Sequence, residues 1–334
     1  MQKYLIHLLF HFKLYLKIIW KRHLMKNKKI VVTGGAGFIG SNLAKKLASD
    51  NKIIVVDDLS TGYLKNIQEE VDRNQIDFVK GSITNLDLLK EVFKDVDYVF
   101  HQAAIPSVPR SVKDPVLSNN ANVNGTLNVL VAAHYNNVEK VVYASSSSVY
   151  GDTPTLPKKE DMIPCPLSPY AVSKLTGEYY CKVFTGVYSL KTVALRYFNV
   201  YGPRQDPTSE YAAVIPKFIM KILDDKSPVV FGDGEQTRDF SFIDDVVQAN
   251  ISAAESTATG VFNVAGGKRI TINVLANSIM KLIGKKVDVE YKDSRPGDIM
   301  HSLADISKAR DGFNYKPSFD IEKGLKETVK WFQK

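Results

Sequence analysis

The sequence predicts an α/β fold, a Rossmann-like doubly wound parallel sheet carrying a smaller mixed α/β lobe. Three observations support this. From Lys28 to about Arg196, short β-branched runs alternate with amphipathic helical runs, the pattern of a parallel sheet covered by helices on both faces. The first run, Ile30-Val31-Val32-Thr33, enters a turn holding Gly34, Gly35, Gly37 and Gly40, and a helical pattern follows at once from Ser41. Past Tyr197 the alternation stops and the segments become short and mixed.

In order, the expected strands of the sheet are Ile30–Thr33, Ile53–Asp57, Ile76–Lys80, Tyr98–Gln102, Lys140–Ser145 and Lys191–Arg196. The clearest helical runs between them are Asn85–Phe93, Asn122–Tyr135 and Tyr170–Gly186. In the second lobe a loop at 201–207 precedes helices at Ala212–Leu223, Ile243–Glu255, Ile272–Ile283 and Ile321–Phe332, with short strands at Val229–Phe231 and Val261–Val264. The expected division is therefore a cofactor-binding domain over 25–200, with part of 237–265 returning to it, and a substrate-binding lobe over 201–334.

Residues 1–24 stand outside this pattern. Leu5 to Trp20 is apolar but interrupted by Lys13 and Lys17, and it is short for a spanning helix. It has no small-residue cleavage site of the secretory kind. We expect it to be an extension, with Met25 as the start, because the first strand begins a few residues later. A basic amphipathic surface anchor and a terminal helix are the other readings.

The net charge of +8 does not point to nucleic acid. Lys3, Lys13, Lys17, Lys21, Arg22, Lys26, Lys28 and Lys29 supply all of it, so residues 30–334 balance to zero. A neutral body has no general attraction for phosphate backbones. Cys165 and Cys181 show no metal-ligand spacing, and two cysteines make no disulfide framework in a chain of this size. Reduced thiols in a cytoplasmic protein are expected, with no metal and no membrane partner for the folded body.

The glycine turn has the spacing G-x-x-G-x-x-G. A strand, a bare-backbone turn and a helix N-terminus in that order form a site for a dinucleotide diphosphate. Asp57 ends the second strand about twenty residues on, where a carboxylate accepts hydrogen bonds from an adenosine ribose and repels a 2′-phosphate, favouring NAD over NADP. Capping of the following loop through Ser60 and Thr61 is the competing role for Asp57. Tyr170 and Lys174 are four residues apart and share one helix face. A free phenol has a pKa of about 10, and a neighbouring ammonium stabilises its phenolate. Ser146 follows the run Val141–Ser145 and adds a hydroxyl at a strand's carboxyl end, which completes a candidate proton-transfer site.

The glycine turn, Ser146, Tyr170/Lys174 and Arg196-Tyr197-Phe198-Asn199 together resemble the extended short-chain dehydrogenase/reductase superfamily, and within it the UDP-hexose 4-epimerases, over residues 28–334. The resemblance implies that Ser146 and Tyr170 act on the sugar O4, with Ser147 assisting, while Lys174 holds the nicotinamide ribose and tunes Tyr170. It implies an NAD site made by Gly34, Gly37, Phe38, Ile39, Gly40, Asp57, Ser60, Thr61, Gly62, Ser82, Ile83, Gln102, Ala103, Ala104, Asn122, Ser145, Tyr170, Lys174, Tyr197 and Val200. Ser82 is a departure, since the family commonly has Asp after this glycine to meet the adenine amino group. For the UDP-sugar the resemblance implies Ser107, Ser146, Ser147, Asn199, Ala213, Val214, Phe218, Phe231, Arg238, Arg295, Asp298 and Ser302. Arg238 and Arg295 would hold the diphosphate, a task that suits forked guanidinium donors.

Which reaction is implied depends on the residues beside Ser146. Related 4,6-dehydratases carry an Asp-Glu pair there, and UDP-glucuronate decarboxylases a Glu; here Ser147 and Ser148 stand instead. The simplest remaining cycle is oxidation at C4, rotation of the 4-keto sugar and return of the hydride to its other face. Ser302 stands where a bulky residue would narrow the family's sugar pocket, so a 2-acetamido group is expected to fit, and UDP-N-acetylglucosamine and UDP-N-acetylgalactosamine are the expected pair. Unacetylated or uronic-acid forms, a decarboxylase or dehydratase, and a non-catalytic NAD-binding regulator are the alternatives. A homodimer through helices Asn122–Tyr135 and Tyr170–Gly186 is also implied.

Overall fold

The computed structural model describes residues 25–208, 213–294 and 299–334. Arg295 and Asp298, the leader over 1–24 and the start of the helix expected at Ala212 lie outside the described residues.

Six strands follow the alternation closely: β1 (Lys29–Thr33), β2 (Lys52–Asp57), β3 (Ile76–Lys80), β4 (Tyr98–His101), β5 (Lys140–Ser146) and β6 (Lys191–Tyr197). A seventh, Gly260–Val264, comes back from the second half of the chain and lies parallel to β6. The sheet order is Gly260–Val264, β6, β5, β4, β1, β2, β3, and every pairing is parallel. The order reverses between β1 and β4, so the crevice beyond their carboxyl ends is where such a sheet receives a ligand.

Alternation within each strand decides which residue faces which layer. Ile30, Val32, Ile53, Val55, Val142 and Ala144 face Leu43 and Leu47 of helix Phe38–Ala48 and Val246 of helix Ile243–Glu255. Val31, Ile54, Val56, Val141 and Tyr143 face the other way, toward Leu89, Val129, Leu130, Cys181 and Phe184. The first core continues without a break into the second lobe, where Ile215, Phe218, Ile222, Leu275, Ile279, Leu325 and Val329 are buried together. That lobe carries helices Val214–Leu223, Ile272–Ile283 and Ile321–Phe332, with the short strand pairs Val229–Phe231 to Glu290–Lys292 and Thr237–Asp239 to Arg269–Thr271.

Several boundaries shift by a residue from the sequence expectation, and two differences bear on the crevice. The strand expected through Gln102 ends at His101, where the chain turns away to line the crevice. The helix expected from Asn122 starts instead as an i→i+5 turn over Asn120–Asn124 that runs into Gly125–Tyr135. Among the described residues no helix is long and apolar enough to cross a membrane.

Candidate functional site

The glycine turn forms a tight cradle at the carboxyl end of β1. Gly34 takes a left-handed φ of +68°, and its N–H donates to the Val56 carbonyl at 2.8 Å. A Cβ on Gly34 would run into the Ala103 backbone, and one on Gly40 would collide with the Gly34 carbonyl. The turn is thus closed on itself, and helix Phe38–Ala48 starts from Gly37 with no side chain capping its free N–H groups. Unfilled donors beside bare backbone suit an anion such as a diphosphate. Among the described residues no group of side chains is suited to a metal ion.

Asp57 is buried beside this turn. Its Oδ2 accepts from Ala36 N–H at 2.9 Å and its Oδ1 from Leu59 N–H at 2.8 Å. Burial pushes its pKa up against those two bonds. Asp57 therefore ties the loop after β2 to the glycine turn, while each carboxylate oxygen keeps lone-pair capacity toward the crevice. The loop contact expected through Ser60 belongs to Asp58, whose Oδ1 accepts from Ser60 N–H.

A cavity of about 920 Å³ opens over the switch point. Gly34, Gly37, Phe38, Ile39, Gly40, Asp57, Ser60, Thr61, Ser82, Ile83, Gln102, Ala103, Ala104, Ser107, Ser145, Tyr170, Lys174, Tyr197 and Ala213 all line it. Three residues expected at the cofactor stand elsewhere. Gly62 sits behind Asp57 and Ala36, and Val200 lines a second cavity. Asn122 is buried with its amide fully engaged: Oδ1 accepts from Ile105 N–H at 2.7 Å, and Nδ2 donates to the Ile105 carbonyl and to Ser173 Oγ. It brackets the loop after β4 to helix Pro169–Val187 and does not face the cavity.

Sequence reasoning missed Tyr63, Asn66, Arg110, Arg204, Gln205 and Thr208, which also line the cavity. Tyr63 donates its hydroxyl to Asp206 Oδ2 at 3.0 Å, and Arg204 Nη1 donates to Asn42 Oδ1 at 2.5 Å, so the 202–208 loop of the second lobe is fastened to the first. The sequence predicts a loop over 201–207, but not where it docks.

Tyr170 and Lys174 line the cavity, and Ser146 adjoins it through a hydrogen bond with Tyr170. Helix Pro169–Val187 starts at a Ser168 cap followed by Pro169, which sets the phase of Tyr170 and Lys174 against the sheet. Ser146 ends β5, and its Oγ accepts from the N–H and hydroxyl of Ser148. Burial pushes the Tyr170 phenol up, and a hydrogen bond with Ser146 works against that rise. Lys174 Nζ donates to the Ala144 carbonyl at 2.8 Å, and burial pushes the ammonium down to about 8. Below them His101 is held between Thr33 and Thr126 at 2.8 and 2.9 Å. Burial, with the Lys174 charge adding, drops its pKa to about 3, so it is a neutral ring at physiological pH.

The second cavity, about 240 Å³, meets the first at Ala213 and is lined by Asn199, Val200, Val214, Phe218, Val229, Phe231, Gln236 and Arg238 among others. Its apolar walls and few polar tips suit a flat polar ring. Arg238 Nη1 donates to the carbonyls of Thr237 and Met300, and Asn199 Nδ2 to that of Asp239. Asp239 is buried, its oxygens accepting from Gly266 and Ala304 N–H, and burial pushes it up to about 7. Ser146, Ser147 and Ser302 line neither cavity; Ser146 reaches the site through its hydrogen bond with Tyr170, and the Ser302 N–H donates to the Thr237 carbonyl, which places it next to Arg238 in the fold.

The NAD dependent epimerase/dehydratase family model matches residues 30–265. A solved UDP-N-acetylglucosamine 4-epimerase from Methanobrevibacter ruminantium, in complex with UDP-N-acetylmuramic acid, is 49% identical with a TM-score of 0.90, covering 92% of this chain and 99% of that one. A putative UDP-glucose 4-epimerase of Methanocaldococcus jannaschii is 41% identical, over 91% of this chain and 98% of its own. The UDP-glucose 4-epimerase of Thermus thermophilus, solved as a complex with NAD, is 34% identical with a TM-score of 0.84, covering 91% of this chain and 99% of that one.

Proposed function

The chain belongs to the NAD dependent epimerase/dehydratase family, and on that premise we propose that it is an NAD-dependent 4-epimerase of UDP-N-acetylhexosamines, interconverting UDP-N-acetylglucosamine and UDP-N-acetylgalactosamine through a transient 4-keto sugar. The observation that carries this reading is the Ser146–Tyr170–Lys174 corner, of which Tyr170 and Lys174 line the large cavity and Ser146 hydrogen-bonds Tyr170, with Ser147 and Ser148 where a dehydratase or decarboxylase needs a carboxylate.

The glycine cradle would hold NAD, which would supply the hydride acceptor and donor for the C4 oxidation and reduction. Gly34, Gly37, Phe38, Gly40 and Asp57 would hold its adenosine diphosphate, and Tyr197, Gln102 and Ser145 would flank the other end. Tyr170 takes the proton from the sugar O4 hydroxyl and returns it, Ser146 hydrogen-bonds the same oxygen, and Lys174 supplies the positive charge that lets the phenol ionise. Arg238 grips the diphosphate of the UDP-sugar, and Arg295 and Asp298, outside the described residues, are proposed to join it. Phe218, Phe231, Asn199 and Val214 enclose the uracil, and Ser302 leaves room for the 2-acetamido group.

The free thiols of Cys165 and Cys181 support a cytoplasmic setting. A homodimer is proposed too, through exposed apolar side chains on helix Pro169–Val187. Incubation with UDP-N-acetylglucosamine and no added NAD, followed by NMR of the products, tests the reaction. Epimer at C4 is expected; a stable 4-keto-6-deoxy sugar, or carbon dioxide release when the corresponding UDP-uronic acid is supplied instead, would replace the reading with another.

A further inference from the structure

Glu178 and Arg196 have no role in the site as proposed above, yet each side chain is only 3% exposed, the deepest ion pair among the described residues. Arg196 Nε donates to Glu178 Oε1 at 2.8 Å and Nη2 to Oε2 at 2.7 Å, while the Ser145 hydroxyl donates to Oε1 at 2.5 Å. Glu178 follows Lys174 by four residues, as Lys174 follows Tyr170, so the three share a face of helix Pro169–Val187. Ser145 and Arg196 are paired across β5 and β6, directly before the pair Ser146 and Tyr197. The Arg196 guanidinium also lies 4.6 Å from the Tyr150 ring centroid, at the far end of the turn that begins after Ser146, and the Tyr150 hydroxyl donates to Asn263 at 2.7 Å.

One carboxylate therefore joins the helix bearing Tyr170 and Lys174 to both strand ends that bear Ser146 and Tyr197, and its guanidinium partner holds the turn beyond Ser146. Stability alone does not call for such a pair, because burying two charges costs about as much as their attraction returns, and well-packed apolar residues do as well. A forked contact adds a defined distance and rotation between the elements it joins, which apolar packing does not. Proton transfer needs that definition, since a displacement of about 1 Å can cost about a hundredfold in rate.

We propose that Glu178 is a positioning residue for the Ser146–Tyr170–Lys174 corner, acting through Ser145 and Arg196. The proposal rests on the epimerase reading. Its test is the double variant Glu178→Gln/Arg196→Met, which removes both charges and leaves neither stranded. Holoenzyme of parent and variant is compared for thermal midpoint, bound NAD, and kcat and KM toward UDP-N-acetylglucosamine. A parental midpoint and NAD content, a KM within about twofold and a kcat lower by about tenfold or more are expected. A smaller loss of kcat overturns the proposal, and so does a loss that comes with depleted NAD or a matching rise in KM. If the double variant does not fold, Arg196→Lys, which keeps the charge and loses the fork, decides: a several-fold lower kcat at unchanged KM and NAD content is expected, and a parental kcat overturns the proposal. A parent that epimerises no UDP-hexose removes the functional reading and this proposal together, whereas an active parent with an unimpaired variant removes this proposal alone.

Discussion

The Lys174 ammonium donates to the Ala144 carbonyl across 2.8 Å inside the fold, and stands 5.9 Å from the centre of the Tyr170 ring. Burial moves the two groups apart on the pH scale: Lys174 falls to about 8, while the Tyr170 phenol rises. At neutral pH the protein alone therefore holds a charged lysine beside a neutral phenol. Lys174→Met removes the cation that favours phenolate, so the acid limb of the kcat profile should move to higher pH, with kcat at pH 7.5 about a hundredfold lower. Rates measured from pH 6 to 9 check this; an acid limb that stays in place would show that Lys174 does not tune Tyr170.

Asp57 anchors two backbone N–H groups and borders the cavity. Asp57→Ala should weaken NAD binding by roughly tenfold or more, because loop order and a charge-assisted contact are lost together. Titration of NAD-depleted protein measures it. Binding as tight as the parent's would remove Asp57 from the cofactor site.

Arg238 borders the smaller cavity and is steadied by the carbonyls of Thr237 and Met300. Arg238→Ala should raise KM for UDP-sugars about tenfold or more with a smaller effect on kcat, as loss of binding common to substrate and transition state does. Ser302→Tyr should lower kcat/KM for UDP-N-acetylglucosamine relative to UDP-glucose. Equal activity on both sugars in that variant would end its assignment to the sugar pocket.

Helix Pro169–Val187 exposes Val172 (49%), Tyr179 (56%) and Val183 (48%), and the neighbouring short helices add Val112 and Val116. This run of exposed apolar side chains is the surface on which the proposed dimer would form. The second expected dimer helix contributes less, since Gly125–Tyr135 exposes only His134 and Tyr135 at its end. Tyr179→Glu/Val183→Glu should convert a dimer to monomer in sedimentation velocity; a parent that sediments as a monomer would refute the dimer itself.

Lys140 is buried, and its Nζ donates to the carbonyls of Ala253 and Ser256 at the end of helix Ile243–Glu255. Burial, with the Lys191 charge adding, pushes it down to about 8, against about 10.4 in an unfolded chain. Between those values the unfolded chain binds more protons, so this group's contribution to stability rises with pH. The stability difference between parent and Lys140→Met should therefore shift in the parent's favour by about 2 kcal/mol from pH 7.5 to 9.5. Urea unfolding at the two pH values measures it, and a flat difference would contradict the shift.

The sheet was legible because each of its strands repeats a local pattern, with Ile30 and Val32 serving one layer and Val31 the other. The glycine cradle and the Tyr170/Lys174 face were legible for the same reason, since turn and helix spacing act within a few residues. Contacts between remote segments leave no such trace. The Tyr63–Asp206 and Asn42–Arg204 bonds join loops far apart in sequence, and nothing local foretold them. Asn122 shows the converse: its position near the cofactor loop was readable, but not that Ile105 and Ser173 consume its amide.

Strand Gly260–Val264 is the outer neighbour of β6, and it is made long after β6. During synthesis β6 thus leaves the ribosome with a bare, apolar hydrogen-bonding edge, and keeps it until the second lobe has emerged. A chain released near residue 200 would retain that open edge, which templates self-association. The cofactor-binding half is consequently no detachable module. The β6 edge is covered only once residues 260–264 have been made and docked.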